Sequence, residues 1–183
     1  NNFLKTIDTT LHKQYTLEKF KEGHTGKGFV VEAPKLEFKK PVFRKKLDLP
    51  KASENSYAKE YLEERKLNPE KFYFTDKFKE WTNTKKQTFD STYRDEPRII
   101  IPMYDKTKTL IGFQGRSLTH NSVKYITVML NDEAPKLYGL ETIDEEKPIY
   151  IVEGPFDSTF VENSVAMCGS DVDIRSFGWG DHI

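Results

Sequence analysis

At 183 residues the chain can bury one or two modest cores, no apolar run approaches the ~18 residues of a membrane span, and a single cysteine, Cys168, excludes a disulfide framework or a zinc cluster built within the chain and fits a reducing compartment. The 29 basic and 29 acidic residues cancel overall but not locally: the net charge is +6 over residues 1–52 (12 against 6), −1 over 53–97 (9 against 10), +3 over 98–140 (6 against 3) and −8 over 141–183 (2 against 10). A basic front and an acidic back suit a protein that grips a polyanion with one part and holds divalent cations with another, although such runs also serve as plain solvated faces.

Residues 3–22 carry Phe3, Leu4, Ile7, Leu11, Tyr15, Leu17 and Phe20 at helical spacing, interrupted near Asp8 and Thr9, which predicts one or two short helices. From Gly23 to about Ser53, glycines, prolines and seven basic residues from Lys35 to Lys51 break any period. That is a linker pattern, either a solvated spacer or a tether lying along phosphates. Ser53–Arg65 predicts a capped amphipathic helix with Tyr57, Ala58, Tyr61 and Leu62 on one face. Residues 67–81 predict a second helical stretch, whose aromatics (Phe72, Tyr73, Phe74, Phe78, Trp81) suit core packing better than base stacking.

Then the period changes, to β-rich runs. Residues 98–104 and 109–116 predict a hairpin closed by Asp105-Lys106-Thr107-Lys108, and residues 124–130 a third strand. Arg98, Arg116, Lys124 and Lys136 fall at or near strand ends, where they would line one sheet edge with cations or do no more than keep the surface soluble. Residues 148–153, 155–162 and 164–168 predict a compact βαβ crossover. No Gly-x-Gly-x-x-Gly or Walker A sequence occurs, so a P-loop or Rossmann dinucleotide site has no support.

Within that crossover, Glu153-Gly154-Pro155-Phe156-Asp157 is the place where carboxylates look arranged for chemistry. Glu153 follows the apolar run Ile149–Val152, Gly154 permits a sharp turn and Pro155 suits a first helical position. A carboxylate just past the C-terminal edge of a parallel strand lies where open α/β sheets bind ligands. Asp157 falls in the first helical turn, where it can join Glu153 or act only as a dipole-favoured cap.

Several of these pieces occur together in one family. Residues 98–105, Ile111-Gly112-Phe113-Gln114-Gly115-Arg116, Lys124-Tyr125, Lys136-Leu137-Tyr138-Gly139-Leu140 and Ile151–Asp157 resemble, in order, the polymerase core of bacterial-type (DnaG-like) DNA primases, whose Glu-Gly-x-x-Asp element opens a Toprim domain. The stretch from Pro155 to Met167 is most similar to primases of T-even-type bacteriophages.

The resemblance implies an α/β protein: a mixed α+β N-terminal subdomain of the primase core (53–140), then the start of a Rossmann-like βαβ Toprim domain (141–183, truncated), with 1–52 as the end of a zinc-ribbon region and its basic linker. It implies RNA primer synthesis on single-stranded DNA from nucleoside triphosphates, in concert with a replicative helicase, in the cytoplasm, a phage host's included. It assigns Glu153 and Asp157 to catalysis, Glu153 to Mg²⁺ (or Mn²⁺), and Arg98, Arg116, Lys124 and Lys136 to nucleotide or template phosphates. Zinc is expected only upstream. Asp171 and Asp173 fall where the family has a turn, so the remaining metal ligands are expected beyond Ile183, and the chain, which starts with Asn1, is expected to be an internal piece inactive by itself. Alternatives are another Toprim enzyme of topoisomerase or nuclease type, or a non-catalytic nucleic-acid-binding module.

Overall fold

The computed structural model describes residues 2–22, 47–120, 122–170, 172–173 and 177–179. The chain divides into two compact units, Asn1–Pro41 and Val42–Ile183. In the first, α1 (Asn2–Ile7) and α2 (Thr9–Lys21) meet at Asp8, whose carboxylate accepts from the amides of Thr10 (2.8 Å) and Leu11 (3.1 Å). The expected interruption is therefore an N-cap. Most of the expected linker, residues 23–46, lies outside the described residues. Its final part is built into the second unit: Leu47 is buried, its carbonyl accepts from the Trp81 indole (3.1 Å), and Lys51 bridges Tyr73.

The predicted helix at 53–65 begins later. Ala52–Glu54 forms a 3₁₀ turn, and Asn55, not Ser53, caps α3 (Ser56–Glu63) by accepting from the Ala58 amide at 3.0 Å. Ala58 and Leu62 face the core as expected. The second helical stretch is corrected more heavily. A 3₁₀ turn at Pro69–Lys71 leads into strand β1 (Tyr73–Thr75), and only from Phe78 to Lys85 does helix α4 form. Phe72 and Phe74 are buried on either side of half-buried Tyr73, a period of two inside a run that reads as helical by composition. Asp95, from the loop before the next strand, caps α4 through the amides of Lys79 (2.8 Å) and Glu80 (2.9 Å).

Strands β1, β2 (Arg98–Tyr104), β3 (Leu110–Ser117) and β4 (Tyr125–Met129) form an antiparallel sheet in that order. The β2–β3 turn closes as predicted, with the Asp105 carboxylate accepting from the amides of Thr107 (2.8 Å) and Thr109 (2.9 Å). Pro102 is tolerated inside β2 because β1 pairs only with residues 98–100, so no ladder donor is needed there on that side. Strand β2 is buried on both faces. Ile99 and Ile101 pack with α3, Phe72 and Phe74, while Ile100 packs with Phe78, Phe113 and Val128. Gly115 is required by that second face, since a Cβ there would overlap the Phe78 ring.

The crossover forms as predicted. Strand β6 (Tyr150–Val152) runs parallel to β7 (Ser164–Met167) in the register Tyr150↔Ser164, and β5 (Leu137–Tyr138) flanks β7 antiparallel. Helix α5 spans only Pro155–Ser158, half the predicted length. Tighter bonds complete the crossover: Thr159 to Phe156 (3.2 Å), Phe160 to Asp157 (3.0 Å) and Val161 to Ser158 (3.3 Å). The two sheets are tied by Thr127, whose hydroxyl donates to the Cys168 carbonyl (2.7 Å) and accepts from the Gln114 amide (3.0 Å). Burial pushes the Cys168 thiol up to about 12, so this cysteine is a protonated core residue.

Candidate active site

Strand β6 ends at Val152, the chain bends at Glu153, and α5 starts at Pro155, so Glu153 and Asp157 stand at the C-terminal mouth of the parallel pair. Both are exposed, and neither carboxylate takes part in a hydrogen bond or ion pair among the described residues. Asp157 curls back over Gly154: a Cβ at position 154 would lie 2.9 Å from its Oδ2. The glycine thus lets the second acid lean toward the bend that carries the first.

Between the two acids, Phe156 points inward. It is 9 % exposed and meets Phe72 edge-to-face at 5.3 Å, within the cluster of Leu62, Leu67, Phe74, Ile99 and Ile101. Ser158, buried, pairs its hydroxyl with that of Ser164 at 2.9 Å. The acid-bearing turn is therefore pinned on one side to the antiparallel sheet and on the other to β7.

The cations are used in different ways. Arg98 is only 1 % exposed: its guanidinium donates to the carbonyls of Gly115 (2.7 Å) and Val123 (2.8 Å), to the Ser122 hydroxyl (2.9 Å) and to the Glu96 carboxylate. Sequence position placed it with the phosphate contacts; the structure buries it as the clasp of the β3–β4 loop, with protein acceptors on Nη1 and Nη2 and none on Nε among the described residues. Burial raises the Glu96 carboxyl, but hydrogen bonds from Ser122, Thr119 and Arg98 outweigh this and leave it below the usual range.

Arg116 is half-buried, donates from Nε to the Tyr61 hydroxyl (2.9 Å) and lies 4.8 Å from the centre of the Tyr125 ring. Exposed Lys124 covers the same ring at 5.6 Å. Burial raises the Tyr125 hydroxyl, Arg116 draws it back, and Tyr61 and Asp157 push it up further. Lys136 lies apart from this group, in a cleft of about 430 Å³ lined also by Asp132, Glu133, Asp173 and Phe177. Asp171 lies outside the described residues, and Asp173 belongs to the Lys136 cleft.

Two residues of this arrangement escaped sequence reasoning as site residues. Tyr125 was legible only as the neighbour of Lys124, and Tyr61 only as one aromatic on the apolar face of α3. As hard oxygen donors, Glu153 and Asp157 fit a Mg²⁺-type ion, yet no group of three or more His, Cys, Asp or Glu side chains forms a complete cage among the described residues. What the geometry can do is hold one edge of a cation site beside a cation–aromatic cluster suited to phosphate.

The chain is 32 % identical over 183 residues to the DNA primase of Enterobacteria phage T4, an alignment covering 94 % of this chain and 53 % of that protein. This chain is a relative of the DNA primases. It is also 32 % identical over 94 residues to the DNA primase of Helicobacter pylori, covering 44 % of this chain and 17 % of that protein. Among solved structures it resembles the Aquifex aeolicus primase (zinc-binding and RNA polymerase domains), with a TM-score of 0.51 and 24 % identity over 67 % of this chain and 39 % of that one, a likeness of fold. No family model matches the chain. It spans about half the length of the phage primase. The primase resemblance read from the ordered motifs thus stands, with the mixed α/β fold it implied.

Proposed function

We propose that this chain is the central part of a DNA primase, which joins nucleoside triphosphates into short RNA primers on a single-stranded DNA template by metal-dependent nucleotidyl transfer. The observation that carries the proposal is the exposed Glu153 at the C-terminal end of β6, with Asp157 curled back over Gly154 next to it in the same bend. On this reading residues 53–140 are the N-terminal subdomain of the polymerase core, 141–183 the beginning of a Toprim domain, and 1–52 the end of a zinc-ribbon region with its basic linker.

Glu153 is the metal ligand this chain contributes and Asp157 supports it, with further acids expected beyond Ile183. When bound, Mg²⁺ or Mn²⁺ would offset charge on the reacting α-phosphate and the leaving pyrophosphate. Arg116, Lys124 and Lys136 receive nucleotide or template phosphates, Arg116 offering the better fork. Arg98 acts from beneath, holding the loop that presents Lys124. A replicative helicase is the expected partner, the cytoplasm (a host's, for a phage protein) the expected location, and zinc a property of the upstream region alone.

The test is Glu153→Gln in the full-length protein. It should abolish primer synthesis while changing the melting temperature by less than ~2 °C, since exposed substitutions usually cost under 0.5 kcal/mol. Near-normal primer yield at saturating Mg²⁺ would overturn the assignment.

A further inference from the structure

Arg116 carries an unusual pairing of features for a cation meant to meet solvent-borne phosphate. Its Nη1 is buried and has no hydrogen-bond partner among the described residues, although the Tyr125 ring lies against the guanidinium. Its Nε is held by Tyr61, which comes from α3, 55 positions earlier in the chain. Tyr61 is itself fixed from the other side: the Arg65 guanidinium lies 3.7 Å from its ring centre and donates from Nη1 to the Tyr61 carbonyl at 3.0 Å. The order Arg65, Tyr61, Arg116, Tyr125, Lys124 is thus a continuous alternation of cations and rings, running from α3 across the end of β3 to the start of β4. A guanidinium with one edge bonded and one face covered has little freedom left.

We infer that Tyr61 is a positioning residue: its hydroxyl fixes the Arg116 guanidinium in the orientation in which the exposed part of this half-buried side chain meets a phosphate oxygen. This rests on the reading of Arg116 as a phosphate contact. The phosphate belongs to either the incoming nucleotide or the template strand, since both present the same oxygen. Helix α3, otherwise a core-packing element through Ala58 and Leu62, thereby acts on the site through a single hydroxyl. The pre-set guanidinium binds without the loss of side-chain freedom that a loose arginine incurs.

Tyr61→Phe is the discriminating variant, because it keeps the ring and its stack and removes only the hydroxyl. In the full-length protein, Tyr61→Phe, Arg116→Ala and the double variant are compared for the KM and kcat of primer synthesis with nucleoside triphosphates, the Kd for single-stranded DNA, and thermal melting. Losing one charge-assisted hydrogen bond should weaken one of these ligands roughly tenfold. The double variant should be no weaker than Arg116→Ala, the signature of two residues acting as one. A rise in KM at unchanged DNA affinity identifies the nucleotide phosphate, and a rise in DNA Kd the template phosphate. If Arg116→Ala weakens binding and Tyr61→Phe does not, or if their effects simply multiply, the positioning role is refuted while the reading of Arg116 survives. If Arg116→Ala leaves both affinities intact, that reading fails and takes the inference with it.

Discussion

Replacing Phe156 by alanine should separate the two halves of the site more effectively than any surface change. The ring is 9 % exposed, sits edge-to-face on Phe72 at 5.3 Å, and closes a cluster built from α3, β1 and β2. Truncating a buried phenylalanine removes its transfer energy and leaves a cavity, together about 3–5 kcal/mol. The lost aromatic pair falls within the upper part of that range. For a unit of this size each kcal/mol moves the melting temperature by about 2–4 °C, so a fall of roughly 6–20 °C is expected. Urea denaturation followed by circular dichroism should show a lower midpoint at unchanged slope. Phe160, four residues on but 60 % exposed, is the matched control, and its alanine variant should stay within about 0.5 kcal/mol of the parent. A loss below about 1 kcal/mol for Phe156→Ala would show that this ring does not anchor the acid-bearing turn.

Further outcomes follow from the Arg98 clasp. Glu96 has a carboxyl held below its ordinary value in the folded protein, so it contributes stability above the unfolded value of about 4.3 that is lost as pH falls through the folded one. Glu96→Gln should therefore flatten the acid side of the urea-midpoint profile, and an identical profile in parent and variant would refute this. Arg98→Ala should cost roughly 3–5 kcal/mol by stranding Glu96 and three acceptors, whereas Lys124→Ala should leave stability intact and reduce the salt dependence of DNA binding. A stable Arg98→Ala protein with a weakened salt slope would return Arg98 to the phosphate contacts.

Much of the local architecture was open to reading along the chain because its causes are local. Two β-rich runs and an Asp-led turn wrote the β2–β3 hairpin, and the apolar run before Glu153-Gly154-Pro155 wrote strand, turn and helix start. The errors occurred where a distant partner decides. Residues 72–75 read as helical by composition, yet they pair with β2, and the helix that follows is capped by Asp95 from another loop. Linker-like residues 47–52 are drawn into the fold by Trp81 and Tyr73.

For the site, the sequence alone supplied the candidates: a carboxylate pair in a strand-to-helix bend and a series of basic residues at strand ends, patterns visible because spacing within one element sets facing. Only the tertiary structure decided what each cation does. Arg98 and Arg116 are indistinguishable as strand-end arginines, but one is fully buried among four protein acceptors and the other stays half-buried against a tyrosine from α3. Whether a charge is buried or available depends on groups brought up from elsewhere in the chain, and no local pattern records them.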